Sequence, residues 1–180
     1  MSHPFSTDEF AKNLRHTIVD ISVQIGHATN VQGRARAGYY RNAILLTAAC
    51  VEAVLYEYIQ KACQKDASLL GKAKRFHKSR GITTLIPLNK TALGTHKELW
   101  ICEIDRTKID RMNSFKDMND FALELGLIKP KLHEALEYVR TKRNEIHIQT
   151  LTSAARQYNN QMLERVSGVL VKVMDKIEAL

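Results

Sequence analysis

Proline and glycine are scarce in this chain, with three prolines and eight glycines among 180 residues. Both residues break helices, so their rarity favours long uninterrupted ones. Cysteine is scarce as well. Cys50, Cys63 and Cys102 lack paired metal-ligand spacing, and the first two fall in strongly helical sequence. They read as free thiols of a reducing compartment, not as a disulfide frame or a zinc site. No GxGxxG and no GxxxxGK[ST] occurs, which leaves ATP and dinucleotide chemistry without support. No nucleophile-elbow sequence occurs either, and a Ser/His/Asp hydrolase is equally unsupported. The opening MSHPFSTDEF has neither a basic start nor an apolar core, so no signal peptide is expected. The most apolar run, AILLTAACVEAVLYEYI, is interrupted by Glu52 and Glu57 and reads as a buried helix, not a membrane span. A cytoplasmic protein with no membrane partner is the expectation.

Acid is missing from one whole stretch. Between Asp66 and Glu98 there is no carboxylate, while Lys72, Lys74, Arg75, Lys78, Arg80, Lys90 and Lys97 are all cationic. The net charge of the chain is +8, and outside this stretch it is close to balanced. A cation-only segment suits a phosphate backbone, which makes RNA the expected partner and Lys72, Lys74, Arg75, Lys78 and Arg80 the expected contacts. The plain alternative is a solvated basic loop.

What is present in abundance is helical periodicity. TDEFAKNLRHTIVDISVQIGHA sets Phe10, Leu14, Ile18, Ile21 and Ile25 on one face. VQGRARAG reads as a break. A second helix from about 37 to 64 is apolar nearly all round, as befits the central element of a bundle or a face for a second copy of the chain. Residues 68–112 read as an irregular basic insertion with turn signals at Gly81, Pro87 and Gly94. Ser114 suits an N-cap and Gly126 a C-cap around a short helix, and Pro130 suits the first turn of the next. That helix runs to about 150, with Leu132, Leu136, Val139 and Ile146 on its core side. A last one spans about 153–179, with Leu163, Val166, Val169, Leu170 and Val173 inward. The expected architecture is a single all-α domain over 1–180, an up-and-down bundle of four main helices plus a short one.

The chemistry concentrates in YVRTKRNEIHIQT, residues 138–150. On a helix of about 3.6 residues per turn, Arg140, Arg143, Asn144 and His147 project from one stripe. Such a set of cations needs an anion facing it. Glu52, in the apolar second helix, needs a cationic partner in turn, and Arg41, Arg140, Arg143 and His147 are the candidates. An Arg/His cluster without paired carboxylates suits metal-independent RNA cleavage. The histidine moves the proton of the ribose 2′-OH or of the leaving 5′-oxygen, and arginine binds the charge of the transition state. Asn144 would orient the histidine or bind a phosphate oxygen. One histidine does not serve as acid and base together, so two copies across a two-fold axis would share the work. The structural alternative is a salt bridge between helices and nothing more. His133 reads as a surface residue, and His16, His27, His77 and His96 have no metal-ligand spacing to one another. No metal and no cofactor is expected.

These residues carry a family resemblance. The chain resembles members of the HEPN superfamily, helical domains marked by an arginine, four to six residues, then histidine, often with a polar residue after the arginine. Arg140-x6-His147 meets that spacing, whereas Arg143 has the adjacent Asn144 but lies one residue short of it. YYRNAILLTAACVEAVLYEYI is similar to the long helix of such domains, with Glu52 at its acid, and ELGLIKPKLHEALEYVRTKRNEIHIQ is similar to the lead-in to the motif. The likeness covers about 37–64 and 115–150. It implies a HEPN-like bundle and a homodimer whose paired motifs line a cleft. It implies a metal-independent endoribonuclease acting as a toxin, with an antitoxin partner, or in defence against phage, and leaving 2′,3′-cyclic phosphates. Many relatives are instead non-catalytic RNA- or nucleotide-binding or scaffolding domains.

Overall fold

The structure is a computed structural model. It describes residues 7–69, 114–149 and 158–180, with side chains described over 9–69, 114–146 and 158–180. The described residues hold no strand, and five helices are bounded within them: α1 (Thr7–Thr29), α2 (Gly33–Lys65), α3 (Phe115–Glu124), α4 (Pro130–Gln149) and α5 (Asn160–Glu178). The fold is all-α.

The second helix organises the rest. Ile44, Val51, Val54, Leu55 and Ile59 are fully buried on it, and α2 packs against all four other helices. Burying that many branched aliphatic side chains contributes about 1.5–3 kcal/mol for each, which is what holds the bundle together. Thr47, also buried, spends its hydroxyl on the Ala43 carbonyl at 2.8 Å. By length and composition alone α2 is apolar enough to cross a membrane, a test that a buried core helix also passes, and just over half of its most apolar window is buried inside the structure. It starts at Gly33, with φ of +59°, and not near 37. Arg34, Ala35, Arg36 and Ala37 are good helix formers, so the expected break shrinks to the few residues before Gly33.

The other boundaries have local causes. Ser114 caps α3 by accepting from the Asp117 amide at 3.1 Å. At the far end Gly126 lies one past the cap Leu125, with φ of +72°. Its amide reaches the Leu123 carbonyl and the Leu127 amide reaches the Ala122 carbonyl, each at 2.9 Å. This is a Schellman closure, and it needs a left-handed residue. Pro130 opens α4 as expected. For α5 the expected start near 153 is overturned where it can be read. Tyr158 and Asn159 are not helical, and the Asn159 side chain accepts from the Met162 amide at 3.0 Å, capping a helix that begins at Asn160. All five apolar residues expected inside on this helix are buried. On α1, Ile18 is 38% exposed and leaves the predicted stripe, while Ile21 is buried. The insertion expected at 68–112 is helical where it begins, since 67–69 form a turn with Leu69 buried, and beyond Leu69 it lies outside the described residues.

The link between α3 and α4 is fastened to α2 by Tyr58, whose hydroxyl donates to the Leu127 carbonyl at 2.9 Å. Burial pushes the Tyr58 hydroxyl above its ordinary pKa, so it stays a donor. This link fixes where α4 crosses α2. Tyr58→Phe is therefore expected to lower the unfolding free energy by about 1 kcal/mol. Gly126→Ala, forced into a left-handed backbone, costs about 1–2 kcal/mol, both read by urea denaturation.

Candidate functional site

Two helices bring the sequence-derived residues together. Along α4 the stripe holding Leu132, Leu136 and Val139 packs into the core. Farther along, the same side of the helix changes from apolar to polar with Arg140 and Arg143. There Arg143 Nη1 meets Glu52 Oε2 of α2 at 2.7 Å. Glu52 thus takes Arg143, and not Arg41, as its partner. The apolar run around Glu52 would bury it deeply, yet its side chain is 26% exposed and that of Arg143 is 32% exposed. Glu52 also lines a cavity of about 540 Å³ between α1, α2 and α3, walled by Phe10, Leu14, Cys50, Tyr56 and Met118, which accounts for that exposure.

Arg140 folds back on its own helix. Its Nε and Nη2 each lie 2.8 Å from Glu137 Oε2, one turn earlier. Asn144 is exposed, and position 147 falls one turn beyond Arg143 on the same stripe, its side chain being outside the described residues. Lys72, Lys74, Arg75, Lys78 and Arg80 also lie outside them. On the flank of the stripe, Lys142 pairs with Glu145 at 2.8 Å, and the Arg165 guanidinium of α5 sits 3.7 Å over the Tyr138 ring, tying α4 to α5.

Three residues of this region escape a reading by sequence. Asn119 of α3 is fully buried, and its Nδ2 donates both to Glu137 Oε1 and to the His133 carbonyl, each at 3.0 Å. Asp120 Oδ1 lies 2.9 Å from His133 Nε2, so His133 is a half-buried link between α3 and α4 and not a surface residue. The signal was there to find. Asn119 occupies a core position among Phe115, Met118 and Ala122, where a polar residue needs partners.

Asp120, His133 and Glu137 bring ligand atoms within 4.8 Å of one another, a spacing that a divalent cation accepts. The charge around them opposes one. Glu137 already receives Asn119 on one oxygen and the Arg140 fork on the other, so a metal would share its carboxylate with a permanent cation at 2.8 Å. The group reads as a hydrogen-bonded relay. Cys50 and Cys63 are free and buried, and burial raises both thiols, which removes them as nucleophiles.

No family model, no curated protein and no solved structure matches the chain.

Two outcomes follow from this geometry. A double-mutant cycle with Glu52→Gln and Arg143→Met should give a coupling of about 0.5–1 kcal/mol, modest because the pair is partly solvated. Zinc or magnesium added to chelator-treated protein should leave its thermal midpoint unchanged. A midpoint that rises with metal concentration would mean that the Asp120–His133–Glu137 group binds a cation after all.

Proposed function

We propose that the chain is a metal-independent endoribonuclease of HEPN type, active as a homodimer. One observation carries the reading. Arg143 is held across helices by Glu52 at 2.7 Å yet is one-third exposed, one turn before position 147 on the same stripe. Nη1 makes that contact, and a guanidinium carries five N–H donors, enough to serve a phosphate as well. Arg143 and Arg140 bind the scissile phosphate and the charge that builds on it. His147 takes the proton from the ribose 2′-OH or gives one to the leaving 5′-oxygen, and a second copy supplies the other histidine. Asn144 orients His147 or binds a phosphate oxygen, and Glu52 holds Arg143 at its angle. Lys72, Lys74, Arg75, Lys78 and Arg80 grip the RNA backbone. A toxin opposed by an antitoxin protein, or a phage-defence nuclease, both cytoplasmic, are the settings this activity fits.

A second reading has an observation of its own. Both arginines already face carboxylates, Arg140 on Glu137 and Arg143 on Glu52. A non-catalytic RNA-binding or dimeric scaffolding domain, with the stripe as a structural network, would look the same. Incubation with a mixed RNA pool in EDTA separates the two. The nuclease leaves 2′,3′-cyclic phosphate ends, and His147→Ala lowers the rate by about 10²–10⁴ while remaining folded. Salt-sensitive binding without products would select the second reading.

A further inference from the structure

We infer that Asn119 and Glu137 are positioning residues for Arg140, an assignment that rests on the nuclease reading for its purpose but not for its geometry. An Arg–Glu pair three residues apart on a helix surface contributes only about 0.2–0.5 kcal/mol and does little to fix either side chain. The pair here is only a quarter exposed on each side, and its carboxylate is gripped from behind. Asn119 Nδ2 holds Glu137 Oε1, while Glu137 Oε2 receives Nε and Nη2 of Arg140 as a two-pronged contact. The same Nδ2 holds the His133 carbonyl, so the amide is tied to the α4 backbone as well as to the carboxylate. The result is a relay from the fully buried Asn119 of α3 to a partly exposed guanidinium on α4.

This amide carries a cost beside its two hydrogen bonds. Asn119 Oδ1 is buried with no hydrogen-bond partner, and an orphan buried acceptor costs about 1–3 kcal/mol. Leucine has the same branching at Cγ, is somewhat bulkier, and would meet the apolar side chains of Phe115, Met118, Phe121 and Ala122 without an orphan acceptor. What leucine cannot do is donate to Glu137. Polar groups that break the local packing rule concentrate at sites with another task. The task that this geometry offers is aim. With Nε and Nη2 held on Glu137, the remaining edge of the Arg140 guanidinium is presented in one direction, from the helix stripe that Arg140 shares with Arg143. A second arginine of fixed orientation adds to transition-state stabilisation, where a mobile one would first have to be ordered.

The test uses full-length protein with Asn119→Leu and Glu137→Gln. The first reading is the solvent exchange of the Arg140 Nε–H in the nitrogen-15 NMR spectrum, assigned by its loss in Arg140→Lys. Exchange should be slow in the wild type and at least several-fold faster in both variants. The second is cleavage of an RNA pool in EDTA. The turnover rate should fall about tenfold in both variants with KM changed less than twofold, since the residues act through Arg140 and touch no substrate. Asn119→Leu should keep its thermal stability or gain some. If it fails to fold, Glu137→Gln, on a partly exposed side chain, carries the test alone. Unchanged Nε–H exchange in Glu137→Gln overturns the proposal, and so does unchanged turnover in an active enzyme. A wild type that cleaves nothing sinks the nuclease reading, and the exchange rates then decide by themselves whether the relay holds Arg140.

Discussion

A helix that is apolar around most of its circumference cannot rest on one neighbour. This constraint, set by Tyr40, Ile44, Val51, Val54, Leu55 and Ile59 on α2, forces every other described helix to lie against it. α1 covers one side, α5 another, and α3 with α4 the remainder. Each covering helix then needs only a single apolar stripe, as the five buried residues of α5 show. The position of α4 is further limited by the Schellman turn at Gly126 and by the Tyr58 bond to Leu127. Local backbone chemistry therefore determines where Arg140 and Arg143 emerge.

The polar groups sit where apolar coverage ends. Glu52 is one of two acids inside the apolar run of α2, and the place where α4 changes from Val139 to Arg143 lies opposite it. Neither charge is removed from water entirely, which avoids the several kcal/mol that full desolvation of an ion pair would require. The second network, from Asn119 through Glu137 to Arg140, solves a different problem. It ties α3 to α4 through an amide, with Asp120 and His133 as a parallel link. Both networks reach the middle of α4, at Glu137, Arg140 and Arg143.

Much of this was legible in the sequence for stated reasons. Ser114 and Pro130 are residues whose local chemistry fixes an element end, and the stripes of α4 and α5 follow from spacing alone. Boundaries set by competition were harder. The run GRARAG contains two glycines but also helix formers that outweigh them, and Asn159 competes with a helical pattern that continues on both sides of it. For the site, the meeting of Glu52 with the α4 arginines was anticipated because an acid in an apolar helix needs a cation. The choice of Arg143 over Arg41 and Arg140 depends on how two helices cross, which no one-dimensional pattern encodes. Asn119 is harder to read, because a single polar residue in a short amphipathic helix looks like its surface unless its spacing from Phe115 and Ala122 is weighed.

Pairing and availability are compatible for these arginines. Two unit charges about 4 Å apart attract by about 4 kcal/mol at an effective dielectric of 20. For partly exposed pairs, the competing hydration leaves a net of only about 0–1 kcal/mol. Glu52 therefore directs Arg143 without locking it, and a phosphate that brings its own charge and several acceptor oxygens competes on good terms for the remaining N–H groups. Arg140 is held harder, because its carboxylate is anchored to a buried amide. In the nuclease we propose, one arginine would adjust to a phosphate while the other sets its register, a division of labour that two equally mobile side chains could not provide.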